Sequence, residues 1–383
     1  MTRQADVIVA GAGIAGSSAA LQLAALGHRT ILLDRQEFPR HKTCGEFMSP
    51  ETKEMLAVLG INLVSRTPAP GNMNKARIIL PRGGEIGAPL PGNATGISRY
   101  ELDRILHEKA ESAGAEIVTK AVVTGIRKLD DNRYEVDTRQ GDRKVSYQAL
   151  AVIGAYGTKK PRGVASGAED TRDNTVYIGI KSHYRGIAIP EQVELYFCEG
   201  GYIGISPIED GKVNVAALLT LDSVQGRGKS VQEILQKAAG GNRHLTARLA
   251  EGTPVTDTQV SIAPVRLSDT PEPWSEFPHI GDAMLMIPPL CGDGMSIALR
   301  SALICSGWTD RYLKGMISYE EWQTGYSAEA DQEFTRLLKR ARRIQKLAFA
   351  KTNRLYPGLA RVFPGLARYV IKATRLSETG MAR

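Results

Sequence analysis

The chain has 383 residues, of which 42% are hydrophobic and 23% are charged, a composition that suits a folded protein of two domains and excludes a disordered one. Its net charge of +8 is uneven, because residues 336–383 hold 13 Lys or Arg and one acid. This tail therefore carries +12, and the rest of the chain carries −4. Since the basic residues are concentrated in the tail, we expect no nucleic-acid partner.

The sequence shows no secretory signal, and its longest apolar runs are too short and too interrupted to span a bilayer. It has four cysteines and no CxxC pair, which is typical of a reducing compartment. The histidines show no ligand spacing, so we expect no metal. We therefore expect a cytoplasmic protein, with peripheral membrane contact through the basic tail left open.

A glycine-rich turn follows the first strand pattern. Residues 6–10 predict a buried strand, residues 17–26 a helix and residues 29–33 a second strand. The turn between the first strand and the helix is Gly11-Ala12-Gly13-Ile14-Ala15-Gly16, and the second strand ends in Asp34.

Each part of this motif has a physical role in binding a dinucleotide. Gly11 permits the tight turn, Gly13 lets the backbone approach a pyrophosphate, and Gly16 allows close packing of helix on strand. The helix N-terminus offers free N–H groups to the phosphates, and the Asp34 carboxylate is placed to accept hydrogen bonds from a ribose diol. The motif predicts a Rossmann-type α/β fold without separating NAD from FAD.

A second motif far downstream favours FAD. A short strand is expected to end at Gly281-Asp282, where the carboxylate can bind the ribityl hydroxyls. Pro289 and the turn Gly292-Asp293-Gly294-Met295 follow, and then a helical run reaches Trp308. The N-terminus of this helix would stabilise negative charge on the pyrimidine ring of a reduced flavin.

Together these motifs resemble the p-hydroxybenzoate-hydroxylase-type flavoprotein superfamily. Within it, Phe38-Pro39-Arg40-His41-Lys42-Thr43-Cys44-Gly45-Glu46 and Gly200-Gly201-Tyr202-Ile203-Gly204-Ile205-Ser206-Pro207 are similar to the geranylgeranyl reductase family. Arg99, opening a helix over residues 100–113, matches a family arginine that faces the FAD phosphates. The resemblance assigns the FAD contacts to Gly11, Gly13, Ile14, Ala15, Gly16, Asp34, Arg35, Arg40, Gly45, Arg99, Val123, Gly281, Asp282, Pro289, Gly292, Gly294 and Met295.

The resemblance also implies the domain organisation. The fold class is α/β, with a discontinuous Rossmann-type FAD-binding domain, an antiparallel β-sheet substrate domain that roofs the flavin, and C-terminal helices. The FAD-binding domain is expected at residues 1–74, 91–165 and 270–315, the substrate domain at 75–90 and 166–269, and the basic helical region at 316–383. Strand patterns at residues 176–180, 193–197 and 212–219 agree with the roofing sheet.

One loop departs from the family. Where relatives have Gly-Ala-Asp-Gly, this chain has Gly154-Ala155-Tyr156-Gly157, with Arg162 downstream. In relatives the aspartate supports the handling of FAD and NAD(P)H. Tyr156 at this position therefore predicts that NAD(P)H reduces the flavin only slowly. The alternative is a neutral change in a variable loop. The electron donor therefore stays open between NAD(P)H and a separate reductase partner protein.

Cys44 is the candidate catalytic residue. By resemblance it lies at the substrate face of the flavin, where a thiol can donate a proton, and Arg40 and Lys42 are expected to lower its pKa. The alternative is a small buried residue with a packing role. A redox pair with Cys291 is a weaker hypothesis, because disulfide geometry is demanding.

The basic tail has two interpretations. Leu338, Ala341, Ile344, Gln345 and Ala348 have near-helical spacing, which favours a helix that caps the body and exposes a basic face to solvent. The other interpretation is a contact with a membrane surface or a lipid substrate.

Two reactions fit these residues with similar weight. The first is flavin-dependent hydroxylation of a lipophilic or phenolic small molecule, the monooxygenase chemistry of the superfamily, and it is narrowly favoured. The second is reduction of carbon–carbon double bonds in a prenyl or polyketide chain, suggested by Cys44-Gly45-Glu46 and by the tail. Halogenation is disfavoured, because Trp274, Trp308 and Trp322 form no Trp-x-Trp-x-Ile-Pro pattern.

Overall fold

A computed structural model describes residues 3–81, 84–130, 132–161, 175–226, 228–350, 352, 355–362, 364–373 and 375–376. Its helices are α1 (Ile14–Ala25), α2 (Thr52–Val58), α3 (Arg99–Ser112), α4 (Leu221–Val224), α5 (Val231–Ala239), α6 (Arg243–Ala250), α7 (Gly294–Leu313), α8 (Tyr319–Ala348), α9 (Tyr356–Val362) and α10 (Pro364–Ala373). Its strands are β1 (Arg3–Gln4), β2 (Val7–Ala10), β3 (Thr30–Leu33), β4 (Phe47–Met48), β5 (Gly71–Ile79), β6 (Glu85–Gly96), β7 (Glu116–Val118), β8 (Val122–Lys128), β9 (Tyr134–Gln140), β10 (Arg143–Ala149), β11 (Ala151–Gly154), β12 (Tyr177–Arg185), β13 (Gln192–Cys198), β14 (Gly201–Pro207), β15 (Val213–Thr220), β16 (Thr253–Pro254) and β17 (Val260–Val265).

A parallel sheet of order β11-β2-β3-β7 forms the centre of the N-terminal fold. Every residue of β2, β3 and β11 is buried, which explains why these strands are continuous apolar runs instead of alternating ones. Helix α1 connects β2 to β3 and packs against α3 and α7. The predicted Rossmann-type unit is therefore confirmed.

Two helix predictions are confirmed with shifted starts. Helix α1 begins at Ile14, three residues before the predicted start, because Gly13 already has the extended backbone of an N-cap (φ −77°, ψ −172°). Helix α3 begins at Arg99, and the Ser98 side chain caps it by accepting a hydrogen bond from the Glu101 N–H (3.1 Å).

A large sheet of order β16-β12-β15-β14-β13-β5-β6-β4, with β17 paired to β12, forms the second layer. The predicted strands at residues 176–180, 193–197 and 212–219 are confirmed as β12, β13 and β15. The expectation of a wholly antiparallel sheet is wrong at one place, because β13 and β5 pair in parallel. Strands β5 and β6 extend over residues 71–96, beyond the 75–90 segment at both ends.

A third sheet, β1-β10-β9-β8, was not predicted. Its β9–β10 hairpin turns at Gly141-Asp142, and Gln140 pairs directly with Arg143. Gly141 has a positive φ of 59°, as a tight two-residue hairpin requires. The Gly-Asp pair between two alternating segments was therefore a usable sequence signal.

Helix α8 begins with a capping box formed by Ser318 and Glu321. Its buried side chains Trp322, Leu338 and Ala341 belong to the same apolar core as those of α1. Because Leu338 and Ala341 are part of the predicted tail pattern, the expected packing of the tail helix on the body is confirmed. None of the described helices is both long enough and apolar enough to cross a lipid bilayer.

Candidate active site

A cavity of about 640 Å³ lies between the N-terminal fold and the large sheet. One part, here called the cofactor end, is lined by Gly13, Lys42, Arg99, Asp282 and the first residues of α7. The other part, here called the apolar end, is lined mainly by aliphatic and aromatic side chains. They come from the large sheet, from the 262–290 segment and from the C-terminal helices: Ala76, Ile78, Leu80, Ile86, Ala88, Leu90, Val193, Leu195, Phe197, Tyr202, Leu218, Ile262, Val265, Met286, Leu290, Ile344, Leu347, Ala348, Leu359, Val370 and Ile371.

The glycine-rich turn has the close contacts that the sequence predicts. A β-carbon at Gly16 would lie 1.8 Å from the Gly11 carbonyl oxygen, and one at Gly11 would lie 2.3 Å from the Ala155 oxygen. Gly11 also has a φ of +112°, which side chains rarely adopt. These two glycines are therefore fixed by packing, and they hold the N-terminus of α1 at the cavity.

Two cations border the space above Gly13. A β-carbon at that position would lie 3.7 Å from Arg99 Nη2 and 3.9 Å from Lys42 Nζ. Arg99 is buried and bonded to Asp103 through Nε (2.8 Å) and Nη2 (2.9 Å). Burial and the nearby Arg99 lower the pKa of Lys42. A helix N-terminus flanked by two cations fits a pyrophosphate. Lys42, which the sequence analysis did not place among the FAD contacts, therefore lies at the predicted phosphate position.

Asp34 lies at the far side of the turn, outside the main cavity. Its carboxylate accepts hydrogen bonds from the backbone N–H groups of Ala12 (2.9 Å) and Gln36 (2.8 Å), and Arg40 Nη2 lies 3.2 Å from it. The Ala121 N–H donates to the Asp34 carbonyl (2.8 Å), two residues before Val123. Asp34, Arg40 and the start of β8 are thus brought together, while the predicted contact Arg35 has an exposed side chain beside them.

The downstream motif also reaches the cavity. Gly281, Asp282, Pro289, Gly292, Gly294 and Met295 all line it, as do Ile14 and Ala15 of the first motif. No hydrogen bond within the described residues engages the Asp282 carboxylate, which leaves its oxygens available for ligand hydroxyls. The prediction of a strand that ends at Gly281-Asp282 is wrong. The structure has only a single parallel bridge between Gly154 and His279 there, and Gly281–Ala283 form a 3₁₀ turn.

Tyr156 has a defined structural role. Its hydroxyl lies 2.9 Å from His279 Nε2, and the two rings make an edge contact at 5.7 Å. His279 Nδ1 lies 3.2 Å from the Glu272 carbonyl, so the tautomer protonated on Nδ1 lets Nε2 accept from Tyr156. Tyr156 thus joins the turn after β11 to the Asp282 segment. Arg162 lies outside the described residues.

Cys44 lies at the boundary of the two ends, half-buried and lining the cavity. Its Sγ accepts a weak hydrogen bond from the Glu46 N–H (3.4 Å), and Asn214 Nδ2 donates to its carbonyl (3.0 Å). Burial raises the pKa of the Cys44 thiol. The expected lowering by Arg40 and Lys42 is therefore wrong, and the group is a protonated thiol at neutral pH. Cys44 and Cys291 are both free thiols.

A buried charged cluster next to Cys44 was missed. Glu46, Lys181 and His183 are at most 1% exposed. Glu46 Oε1 forms an ion pair with Lys181 Nζ, and Oε2 lies 2.6 Å from His183 Nε2. Burial favours a raised pKa for Glu46, but Lys181 and the His183 hydrogen bond outweigh it and hold that pKa at about 2. Glu46 is therefore a carboxylate.

Hydrogen bonds hold the loop that carries Cys44 to the large sheet and to α3. Besides the Asn214 contact, Ser206 Oγ donates to the Gly45 carbonyl (3.0 Å), and the Arg99 N–H donates to Glu46 Oε1 (2.8 Å). Glu46 itself has a positive φ of 52°. A β-carbon at Gly45 would meet no atom within 4 Å. The loop thus leaves open space at Gly45 while its neighbours hold it in place.

The tail closes the cavity on the far side. Arg375 Nη1 donates to Asp293 Oδ1 (2.6 Å), which joins the end of the described chain to the turn before α7. Helices α9 and α10 lie against β6, and α10 also contacts α8. Residues of all three tail helices therefore complete the apolar end.

The fold and the site define an FAD-dependent oxidoreductase, and the comparisons agree. The profile of a family described as "FAD binding domain" matches residues 4–306, so the chain belongs to that family. The predicted resemblance to flavoproteins of the p-hydroxybenzoate hydroxylase type is confirmed, as is its geranylgeranyl reductase-like character.

The relatives carry reductase names. A menaquinone reductase of Mycobacterium tuberculosis is 24% identical over 320 residues, covering 80% of this chain and 76% of the relative. A digeranylgeranylglycerophospholipid reductase 2 of Methanopyrus kandleri is 26% identical over 368 residues, covering 93% and 89%.

Solved structures share the fold. The flavin-dependent brominase Bmp2 superposes with a TM-score of 0.79 at 17% identity, over 97% of this chain and 93% of the brominase. A geranylgeranyl bacteriochlorophyll reductase-like protein from Thermoplasma acidophilum gives 0.75 at 20% identity, over 99% and 94%. At these identities the likeness concerns the fold alone.

Proposed function

We propose that this FAD-dependent oxidoreductase reduces carbon–carbon double bonds in the isoprenoid chain of a lipid. The observation that carries the proposal is the apolar end of the cavity, which continues from Cys44 to the C-terminal helices. Such a lining recognises a substrate by length and apolar surface, with few polar groups to fix its orientation.

The distribution of polar groups supports a chain over a phenol. The charged lining residues Lys42, Glu46, Arg99 and Asp282 are concentrated at the cofactor end. The other polar side-chain groups among the described lining residues are the hydroxyls of Thr43, Tyr202, Ser206 and Tyr356, the Cys44 and Cys291 thiols and the Arg375 guanidinium, which is paired with Asp293. Ser206 is already engaged with the Gly45 carbonyl. An isoprenoid chain needs no hydrogen-bond partner, so this sparse lining suits it.

The reaction needs a hydride on one carbon and a proton on the other. A bound, reduced FAD would supply the hydride at the cofactor end, where Lys42 and Arg99 would hold its pyrophosphate and Asp282 its ribityl hydroxyls. The Cys44 thiol donates the proton, because burial keeps it protonated and it lies at the boundary of the two ends. The thiolate that remains regains a proton from solvent. The electrons would come from NAD(P)H or, as Tyr156 favours, from a separate reductase.

The relatives support the same substrate class. The two relatives are named as reductases of menaquinone and of digeranylgeranylglycerophospholipid. Both of these compounds are lipids with isoprenoid chains. Hydroxylation, which the sequence narrowly favours, gains no support from the lining of the apolar end. We therefore place double-bond reduction first.

The test is product analysis under controlled oxygen. Protein with bound FAD is reduced anaerobically with dithionite and mixed with menaquinone or with a digeranylgeranyl glycerophospholipid. We expect the product to gain two hydrogen atoms for each reduced bond and to contain no label when isotopically labelled dioxygen is admitted. A labelled, oxygen-containing product would establish hydroxylation, and an unchanged pair of lipids would reject the proposed substrate class.

A further inference from the structure

Exposed apolar side chains gather where the cavity meets the surface. Leu347, Leu355, Leu359 and Tyr369 are between 45% and 72% exposed. Leu347 and Leu359 also line the cavity, and Leu355 and Tyr369 are each next in sequence to a lining residue, so the four mark its entrance. Single exposed apolar residues need no explanation, but a group of them at one opening indicates a binding surface.

Basic side chains accompany these apolar ones. Arg343 and Arg340 lie one and two turns before Leu347 on α8, on the same face of the helix, and Lys346 is its neighbour. Arg368 and Lys372 are exposed on α10, next to Tyr369. No acidic residue occurs between positions 336 and 376. The partner of this surface must therefore be anionic and must accept apolar side chains.

We propose that this entrance surface, formed by Arg340, Arg343, Lys346, Leu347, Leu355, Leu359, Arg368, Tyr369 and Lys372, docks on an anionic lipid bilayer. Apolar side chains inserted among acyl chains, with lysines and arginines at the headgroups, are the features of interfacial helices. An acidic protein would satisfy the charges but would leave no use for an apolar opening that continues into the cavity. The proposal rests on the proposed function only for the identity of the molecule that enters the cavity. On that function, a lipid chain passes from the bilayer into the apolar end without crossing water.

The experiment uses the full chain with bound FAD and sedimentation with vesicles. We expect binding to phosphatidylglycerol vesicles, little binding to phosphatidylcholine vesicles, and release by salt. The variant Arg340→Glu/Arg343→Glu/Lys346→Glu should bind phosphatidylglycerol at least roughly 100-fold more weakly, since each basic residue near an anionic surface contributes roughly fivefold. The variant Leu355→Ser/Tyr369→Ser should also bind more weakly, although its net charge is that of the wild type.

A matched control separates position from charge. The variant Lys109→Glu/Lys144→Glu/Lys237→Glu makes the same change in net charge at exposed sites on α3, β10 and α5, and it should retain most of the binding. Equal loss in both triple variants, or a wild-type protein that stays in solution with both lipids, overturns the bilayer proposal. The second result would leave an acidic redox protein as the occupant.

Activity distinguishes this proposal from the proposed function. Double-bond reduction of a short isoprenoid alcohol in solution should be unchanged in the Arg340→Glu/Arg343→Glu/Lys346→Glu variant, while turnover of a vesicle-embedded lipid should fall. Vesicle binding without reduction of any isoprenoid would reject the function and keep the docking surface. Equal turnover of the vesicle-embedded lipid by the wild type and the variant would reject a docking surface that feeds the cavity.

Discussion

The two ends of the cavity differ in what builds them. The cofactor end is made of backbone turns, helix N-termini and a few charges, which come from short continuous segments such as residues 11–16 and 281–295. The apolar end is made of side chains scattered from Ala76 to Ile371. Backbone geometry of the first kind tolerates few residue types, whereas aliphatic side chains are often interchangeable. The cofactor can therefore be inferred from motifs, and the substrate has to be found by experiment.

The strongest test of the cofactor end is Gly13→Glu. Its backbone (φ −77°) accepts any residue and nothing lies within 3.4 Å of the added β-carbon, so the protein should fold. A carboxylate at the phosphate position should prevent FAD binding, and the purified protein should be colourless. Gly307→Glu, at an exposed site on α7, is the control and should remain yellow. A folded Gly13→Glu protein with bound FAD would show that the cofactor lies elsewhere.

Cys44→Ser tests the boundary of the two ends. If the thiol donates the proton, the rate of double-bond reduction should fall by roughly 10²–10⁴-fold, with FAD content and melting temperature retained. Cys291→Ser, the other cavity thiol, should keep most of its rate, whereas a Cys44–Cys291 redox pair would make both variants equally slow. A near wild-type rate of double-bond reduction for Cys44→Ser would reject a catalytic thiol.

Lys181→Met tests the charged cluster beneath that boundary. Removing one partner of a buried ion pair costs about 3–5 kcal/mol, so the free energy of unfolding, measured with urea, should fall by that amount. Adding Glu46→Gln should restore part of the loss, because the amide that replaces the Glu46 carboxylate carries no charge that needs a partner. Strictly additive losses in this double-mutant cycle would mean that the two groups are not energetically coupled.

Asp282→Ala should have a smaller effect, confined to the cofactor end. Losing one charge-assisted hydrogen bond costs about 1.5–3 kcal/mol, so the dissociation constant of FAD should rise about ten- to a hundredfold. The stability of the FAD-free protein should not change. Titration of the FAD-free protein with FAD gives the constant, and an unaltered value would remove Asp282 from the ribityl contact.

The smallest predicted effect is on the pH dependence of stability and comes from His279, which contacts Tyr156 near the cofactor end. Burial lowers its pKa from 6.5 to about 4. The neutral ring therefore stabilises the fold above pH 6.5, and this contribution is lost as the pH falls toward 4. Between pH 6.5 and pH 5, His279→Gln should remove about 1–2 kcal/mol of that dependence. Some slope should remain, because the pKa of His41 is also lowered to about 4 by burial, Lys181 and His183. The exposed His244→Gln is the control, and an unchanged slope in His279→Gln would contradict the assignment.

The turn at the cofactor end was predictable because its motif is local. The tight turn at Gly11 and the close packing at Gly16 were predicted from spacing and are confirmed, whereas the contact of Asp282 with FAD stays a prediction. The cluster of Glu46, Lys181 and His183 was missed because its members meet only in the folded chain. A signal was present, since Lys181 and His183 are two residues apart in the buried strand β12 and therefore lie on the same face of the sheet.

The state of Cys44 shows a different limit of sequence analysis. Arg40 and Lys42 are close in sequence, and charge alone predicts a lowered thiol pKa. In the fold, burial has the larger effect and raises that pKa. Proximity in sequence gives the neighbouring charges, but the cost of desolvation depends on tertiary packing, which no local motif contains.

Helix α8 belongs both to the core of the FAD fold and to the lining of the cavity. Its thirty residues extend about 45 Å, with Trp322 and Phe334 in the core of the FAD fold and Leu347 at the cavity entrance. Deleting α8 would uncover that core, whereas α9 and α10 rest on β6, on each other and on the end of α8. Exchanging the last two helices would therefore alter the lining of the apolar end, and on the proposed function the choice of lipid, without disturbing the core of the FAD fold.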